Sequence, residues 1–356
     1  MTRELGAAAR RLSRHFLLFS LLLWLLVWLG VYLFIHGPKQ YIYHDGDWDG
    51  YRFTPEYDAQ PGLNVLFDQH SHTTWYSGGA LTTEQNLQWH IAMGFDACVI
   101  SDKYNWDAAR EARAIARERY DDQIKVILGI EYGTGRGHLN ILLPPDAENF
   151  EEIVVDYGMY PTDDEFRSLI AAVHSIGGVV VVDHIPFSLP AMPSHPTRRQ
   201  FFDWGADYIE VVGESGFDWE SYEFCLETGM GMISGTGLHQ PEREPVYGWT
   251  LLNPAEFSEE AIFAELKAKN TSLVFNAGAP YPFHHQANWR YKLLRPLIQL
   301  GDALEDYNPT GHRLDPGGFA VLVTWAYGGF FLIEFLVMGW PRRRDARPLW
   351  LHARPR

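Results

Sequence analysis

Two long apolar segments near the two ends of the chain constrain its fold more than any other feature. The first, Phe16 to Ile35, has 20 residues without a charge, and the second, Gly318 to Trp340, carries only Glu334. A helix of about 20 apolar residues is long enough to cross the hydrocarbon core of a bilayer. The sequence therefore predicts two membrane-spanning helices with a large domain between them.

Each apolar segment has a competing interpretation. For the first segment the alternative is a signal peptide, but its apolar run exceeds the usual length of about 7–15 residues, and no small-residue cleavage site follows in HGPKQYIYHD. The second segment could also form a helix buried in the core of a domain, but it is longer than such helices usually are. We expect both segments to span the membrane.

Arginine clusters flank the predicted spans on their outer sides. They are Arg3, Arg10, Arg11 and Arg14 before the first span, and Arg342, Arg343, Arg344, Arg347, Arg354 and Arg356 after the second. Basic flanks stay in the cytoplasm. We therefore expect a plasma (inner) membrane protein with both termini cytoplasmic and the intervening domain, about residues 37–317, extracytoplasmic.

The charge of this intervening region excludes one class of partner. The remaining parts of the chain hold 10 of the 29 basic and 3 of the 45 acidic residues, which leaves 19 basic against 42 acidic residues and a net charge of −23. Binding to a phosphate backbone needs basic neutralisation, so nucleic acid is not an expected partner. Cys98 and Cys225 each lie in apolar surroundings, which favours buried free thiols, although an extracytoplasmic domain would permit a disulfide.

Short β-branched runs alternate with helical patterns through the intervening region. The predicted strands are 64–68, 97–101, 125–131, 139–143, 179–183, 208–212, 232–235 and 272–276. The predicted helices are 82–94, 106–120, 162–178 and 258–270. Repeated strand–helix units predict an α/β domain with a parallel sheet, and seven or eight units in about 280 residues favour a closed β/α barrel.

Residues of the kind that bind metals follow one predicted strand after another. The first two, His70 and His72 in DQHSHTT, face the same side if the strand continues through them. The others are Asp102, Lys103, Glu131, His138, Asp183, His184, Glu210 and His239. Barrel active sites collect at the carboxyl ends of strands, so this set predicts a metal centre. His90 and His174 lie inside predicted helices and are interpreted as surface or packing residues.

Several motifs in order carry a resemblance to a known family. The segments HSHT, GFDACVISDK, GIEYGTGRGHLNIL, GGVVVVDHIP, ADYIEVV and GMISGTGLH resemble the PHP superfamily, the polymerase and histidinol phosphatase family of metal-dependent phosphoesterases, over about residues 63–276. The resemblance implies a distorted (β/α)7 TIM-like barrel, here between two transmembrane helices. It also implies up to three divalent metals at the strand ends.

The resemblance assigns ligands to these metals. It implies that His70 and His72 share one ion with Glu131 and a late aspartate, and that Glu131 shares a second ion with His138 and His184. Of the ligands of the third ion, only His239 is matched.

Three departures from the family pattern stand at Gly78, Lys103 and Gly237, where the family has metal ligands. We therefore expect one or two divalent ions, Mn, Zn or Fe, rather than three. In this interpretation Lys103 supplies positive charge in place of the third ion, with Asp102 beside it as a partner. The alternative is that Lys103 marks a decayed site.

Two functional hypotheses follow. In the first, the domain is a phosphoesterase that hydrolyses an extracytoplasmic phosphate ester through a metal-activated water, the substrate being a phosphorylated small molecule or a lipid-linked one. In the second, it is an inactive PHP-like barrel that serves as a membrane-anchored module and binds metal, ligand or a partner.

The expected organisation has six segments. They are a basic N-terminus (1–15), a span (16–35), the barrel domain (37–280), a juxtamembrane segment (281–317), a second span (318–340) and a basic tail (341–356). Residues 281–309 suit either an interfacial segment or a packing helix. His284 and His285 within them are either additional ligands or, as we expect, solvated loop residues.

Overall fold

A computed structural model describes residues 2–75, 78–192, 194–305 and 316–339 of the chain. The predicted arginine cluster after the second apolar segment lies outside these residues. The strands are β1 (Tyr41–Ile42), β2 (Val65–Asp68), β3 (Ala97–Cys98), β4 (Lys125–Val126), β5 (Gly129–Thr134), β6 (Gly137–Leu142), β7 (Val179–Val182), β8 (Tyr208–Gly213), β9 (Gly216–Phe217), β10 (Gly231–Ser234), β11 (Gly248–Leu252), β12 (Ser272–Phe275) and β13 (Gln286–Ala287).

The helices are interleaved with these strands. They are α1 (Thr2–His36), α2 (Thr83–Ala92), α3 (Trp106–Arg119), α4 (Phe150–Ile153), α5 (Asp163–Ser175), α6 (Ile185–Ala191), α7 (Arg198–Trp204), α8 (Trp219–Thr228), α9 (Glu259–Ala268), α10 (Trp289–Glu305) and α11 (Pro316–Gly339). The four helices predicted in the domain are confirmed as α2, α3, α5 and α9.

The strands of the domain form two mixed sheets. The first has the order β12-β11-β2-β3-β4, and the second has the order β10-β8-β7-β6-β5, with β9 paired to β8. Backbone hydrogen bonds join the sheets beyond the strand ends, from Glu131 N to Ser101 O at 3.0 Å and from Gly237 N to His70 O at 2.9 Å. The α/β class is therefore confirmed, whereas the expected closed (β/α)7 TIM-like barrel is not.

Two local features explain the antiparallel pairs that the strand–helix pattern did not predict. Only Gly135 and Arg136 separate β5 from β6, which is too short for a crossover helix, so these strands form a hairpin. The strand β11 was missed in the sequence, and it lies antiparallel between β2 and β12.

The core of the domain lies on both faces of the sheets. All four valines of β7 are at most 1% exposed, because helices cover one face and the opposite sheet covers the other. Thr162 and Glu165 cap α5 reciprocally, which confirms the predicted helix start. Cys98 and Cys225 are buried free thiols, as predicted, and no disulfide joins them.

The two apolar segments form helices that are long and apolar enough to cross a membrane. The candidate spans are Ala9–His36, with a mean hydropathy of 2.5, and Gly317–Val337, with a mean hydropathy of 1.8. They pack side by side, and His15 Nδ1 lies 2.7 Å from Glu334 Oε1. This pair gives the only acidic residue of the second apolar segment a polar partner.

The helix α10 packs against the C-terminal half of α1. Val27 and Val31 of α1 and Leu304 of α10 share one buried apolar cluster. The two backbones approach closely at Gly30, where an added Cβ would stand 2.9 Å from the carbonyl oxygen of Leu297. Residues 289–305 therefore form a helix that packs on α1.

Candidate metal centre

Three buried side chains meet at the end of β2. His70 Nε2 lies 3.1 Å from His72 Nε2, and His72 Nε2 lies 3.3 Å from Glu131 Oε2. Ligand atoms that are each about 2.1 Å from a shared ion lie roughly 3–3.5 Å apart. This group, which we call group 1, has the spacing that one divalent ion requires.

A second group, group 2, uses the other oxygen of the same glutamate. His138 Nδ1 lies 2.5 Å from Glu131 Oε1, and His184 Nε2 lies 3.5 Å from it. All of these residues are at most 8% exposed. Glu131 is therefore shared between the two groups, one carboxylate oxygen facing each.

The hydrogen bonding of the Glu131 carboxylate tests whether the two groups fit metal ions. Among the described residues no donor makes a hydrogen bond of acceptable geometry to either carboxylate oxygen, although both are buried. His138 Nδ1 likewise has no hydrogen-bond partner there. Buried polar atoms without partners are rare and destabilising, so a cation at each group would satisfy them.

The local fold explains why these residues converge. The antiparallel register pairs Glu131 with Asn140 and Gly133 with His138, which places Glu131 and His138 on one face of the β5–β6 hairpin. His184 directly follows β7 and Asp183, at the start of α6. His70 and His72 flank Ser71, which forms an isolated parallel bridge to Leu238.

Carboxylates on the far side of group 1 orient His70. Glu210 Oε2 lies 3.1 Å from His70 Nδ1 and accepts a hydrogen bond from Gln69 Nε2 at 2.6 Å. His70, Asp183 and Glu210 also lie close enough together to form a third potential ligand group. A carboxylate on one ring nitrogen fixes the other nitrogen toward the metal, so Glu210 directs His70 Nε2 at group 1.

Lys103 lies at the metal centre, whereas the carboxylate of Asp102 binds Thr73. Lys103 Nζ lies 3.9 Å from Glu131 Oε2. Asp102 accepts hydrogen bonds from the backbone N–H and the hydroxyl of Thr73, and its Oδ1 lies 3.6 Å from His72 Nδ1. The hydrogen bonds of Asp102 therefore hold the loop after β2, and its carboxylate lies near the ring of His72.

The positions at which the resemblance implies ligands of a third metal do not form a ligand group among the described residues. The His239 ring stacks on His72 with centroids 4.4 Å apart. Gly78 lines the same cavity. Gly237 has a left-handed backbone conformation with φ +59°, and an added Cβ would stand 3.5 Å from Glu214 Oε2.

Glu214 is a residue that the sequence interpretation missed. It lies just after β8, in the turn before β9, and it lines the cavity together with Glu131 and His184. Burial raises its pKa against the opposing effect of His184. A carboxylate in VVGESGF gives no local signal of this role, since only the folded chain brings it to Gly237.

Burial and charge set the protonation of the ligands. Burial alone would raise the pKa of Glu131, but the Lys103 ammonium and nearby imidazoles hold it well below the ordinary value. Burial lowers the pKa of His138 to about 3 and the pKa of His72 well below its usual range. Neutral imidazoles and an ionised carboxylate are the forms that bind metals. By contrast, neighbouring acids overcome burial and raise the pKa of His70.

The other histidines are structural. His90 is buried and bonds to Asp68 Oδ2 at 3.0 Å, and His174 bonds to Asp207 Oδ2 at 2.8 Å, as expected for packing and surface roles. His284 is exposed, in line with the prediction. The prediction for His285 was wrong, because its side chain is only 4% exposed and packs among aromatic rings.

A cavity of about 1000 Å³ gives access to the centre. Its inner part is lined by His72, Lys103, Glu131, His138, His184 and His239. Its opposite wall includes Phe34 from α1 and Ile298 from α10. The cavity at the metal groups is therefore lined in part by α1, which carries the first candidate span, and by α10.

Comparison with solved structures shows which fold this is. The chain is similar to a two-domain protein from Bacteroides vulgatus containing a predicted PHP-like metal-dependent phosphoesterase, with 18% identity and a TM-score of 0.50, over 70% of this chain and 73% of that one. The PHP-like fold inferred from the motifs is thus confirmed. No protein-family model and no curated protein sequence matches the chain.

Two further solved structures are more distantly similar. One is assigned as a metal-dependent phosphoesterase from Bifidobacterium adolescentis, with 16% identity and a TM-score of 0.38, over 49% of this chain and 87% of that one. The other is an amidohydrolase from Chromobacterium violaceum with bound sulfate and no metal, with 15% identity and a TM-score of 0.37, over 59% of this chain and 97% of that one.

Proposed function

We propose that the domain is a metal-dependent phosphoesterase with two divalent ions, one in group 1 and one in group 2. The observation that carries the proposal is Glu131, a buried carboxylate whose two oxygens face two separate sets of histidines without hydrogen bonds among the described residues. A carboxylate shared in this way is the feature of two-metal hydrolytic sites. Divalent ions bound there would lower the pKa of a water molecule and bind phosphoryl oxygens.

The chain's own residues have distinct roles in this proposal. Lys103 adds a fixed positive charge 3.9 Å from Glu131, where it binds a phosphate oxygen and stabilises negative charge that develops during hydrolysis. Asp102, through Thr73 and its contact with His72, is a positioning residue. His239 stacks on His72 and limits the movement of its ring.

Glu214 supplies a carboxylate beside Gly237, the position at which the family pattern has an acid. An added Cβ at Gly237 would stand 3.5 Å from Glu214 Oε2, and Glu214 lines the cavity that holds Glu131 and His184. The nitrogen-rich ligand sets with added carboxylates suit Mn, Zn or Fe.

The membrane arrangement is part of the same proposal. The length and composition of α1 and α11 support two spans, and the arginines before and after them support cytoplasmic termini. The domain would then act on an extracytoplasmic phosphate ester. The packing of α1 on α11 through His15 and Glu334 supports a paired anchor.

One experiment tests the activity. The full-length protein is purified in detergent, its metal content is measured by mass spectrometry, and phosphate release is followed with aryl and alkyl phosphates in Mn²⁺ or Zn²⁺. We expect two ions per chain and hydrolysis that a chelator abolishes. His138→Ala should lose both hydrolysis and one ion, whereas His174→Ala, a histidine remote from the groups, should lose neither. Bound metal without hydrolysis of any ester would favour the inactive binding module instead.

A further inference from the structure

We propose that the substrate is an amphiphilic phosphate ester that enters from the membrane, with its phosphate at the metal groups and its aliphatic chain between α1, α10 and the cavity rim. This inference rests on the phosphoesterase function proposed above and on α1 lying in a bilayer. Three features of the cavity support it. They are the helices that form one wall, the level of that wall in the bilayer, and the exposed apolar side chains at the opening.

One wall of the cavity comes from α1, the segment just after it, and α10. It includes Phe34 of α1, Pro38 after it, and Ile298 and Ala303 of α10, together with the polar residues Lys39, Gln299 and Asp302. Arg243 Nη2 donates a hydrogen bond to Gln40 Oε1 at 2.8 Å, and β1 pairs with β13 just beyond the wall. The cavity therefore keeps a fixed position relative to the candidate span.

The depth of this wall matches the level of lipid phosphates. The uncharged segment Phe16–Ile35 has 20 residues and is about 30 Å long as a helix, which matches the thickness of the hydrocarbon core. Phe34 then lies at the outer boundary of the hydrocarbon. Pro38, which also lines the cavity, lies beyond this boundary in the headgroup layer. A lipid can bring its phosphate into the cavity without leaving the bilayer.

The rim and the volume suit a ligand with an apolar part. Two aromatic side chains that line the cavity, Tyr160 and Phe187, are 61% and 50% exposed, and Met159 and Met192 lie beside them. Exposed apolar side chains around an opening are typical of membrane or ligand contact. A volume of about 1000 Å³ is at the upper end for small-molecule pockets and far exceeds the needs of a phosphate group alone.

The reaction is a simple hydrolysis. A water oxygen forms a bond to phosphorus, the bond between phosphorus and the ester oxygen breaks, and the leaving alkoxide takes a proton that the water loses. The products are a membrane-soluble alcohol and inorganic phosphate, and nothing is oxidised or reduced.

A chain-length series tests the substrate class. The full-length protein in phosphatidylcholine nanodiscs is given butyl, octyl and dodecyl phosphate, and phosphate release is measured for each. Because each buried methylene contributes substantially to binding, we expect kcat/KM to rise at least about tenfold from butyl to dodecyl. Equal values would overturn the amphiphilic substrate and leave the phosphoesterase function standing. Hydrolysis of none of the three would overturn both.

A pair of matched variants locates the aliphatic chain. Phe187→Ser removes an exposed apolar side chain at the rim, and Leu226→Ser removes one that is 60% exposed on α8, away from the cavity. Phe187→Ser should lower the dodecyl-to-butyl ratio of kcat/KM about fivefold, and Leu226→Ser should leave the ratio unchanged. An unchanged ratio in Phe187→Ser, or an equal fall in both, would overturn the proposed path. Metal content, measured in each variant, separates this effect from damage to the centre.

Discussion

Replacing Glu131 with Gln should empty both metal groups while leaving the metal-free fold intact. Group 1 and group 2 each use one oxygen of this carboxylate, and an amide removes its charge from both at once. Loss of an outer contact to a ligand costs about 10–100-fold in metal affinity. Loss of a shared direct ligand should therefore cost at least about 100-fold per ion, or about 2.8 kcal/mol each.

Thermal unfolding with and without metal measures this effect. At a free metal concentration 100 times Kd, each ion stabilises the parent protein by about 2.7 kcal/mol, so two ions should raise Tm by about 10–20 °C. Glu131→Gln should show little metal-dependent shift, and its metal-free Tm should fall, because Lys103 and the imidazoles stabilise the ionised carboxylate in the folded protein.

The matched control is a second buried glutamate, Glu259, which belongs to neither metal group and is hydrogen-bonded by arginines. Glu259 is 6% exposed and accepts charge-assisted hydrogen bonds from Arg113 and Arg117. Glu259→Gln should lower Tm equally with and without metal and leave the metal-dependent shift intact. If Glu131→Gln retains two ions, or if its metal-dependent shift in Tm equals that of Glu259→Gln, the shared-ligand assignment is wrong.

Four further predictions follow. Lys103→Ala should lower kcat/KM by on the order of 100-fold at unchanged metal content, as measured by initial rates and metal analysis. Glu214→Gln should weaken metal binding, so titration of the metal-free protein should show at least one affinity reduced relative to the parent. Burial lowers the pKa of His138 to about 3 in the folded protein, whereas its pKa in the unfolded chain is about 6.5. As the pH falls from about 6.5 toward 3, the unfolded chain binds a proton that the folded protein does not, so the free energy of unfolding decreases. In chemical denaturation the metal-free His138→Asn variant should accordingly lose stability less steeply than the parent over that range, by up to about 1.4 kcal/mol per pH unit. Topology reporters at the C-terminal end and near residue 150 should lie on opposite sides of the membrane, and the same side for both would refute the two-span arrangement.

The strand positions and most ligand candidates could be predicted because their signals are local. A strand and its end can be predicted from a run of four valines followed by Asp183 and His184. The two histidines after NVLFD give the same information for another strand. The order of strands has no such signal. The strand β11 pairs with residues about 185 positions earlier, and the sheet into which it inserts is set by packing across the whole domain.

The electrostatic surroundings of the centre were the least predictable part. Asp102 is adjacent to Lys103 in sequence, yet its carboxylate binds Thr73 after a different strand. Glu214 reaches Gly237 only because β8 and β10 are neighbours in the sheet. His285 would read as a loop residue in any local window, and only tertiary packing against Tyr43 and Trp48 buries it.

The wall formed by α1 and α10 determines how this protein must be prepared. A truncated soluble domain that begins after His36 and ends before Trp289 would keep all the ligands of groups 1 and 2. It would lose Phe34 and Ile298, and with them one side of the cavity. Under the function proposed above, the substrate selectivity of such a fragment would differ from that of the intact chain. Substrate screens on excised domains would therefore describe a different, more open cavity.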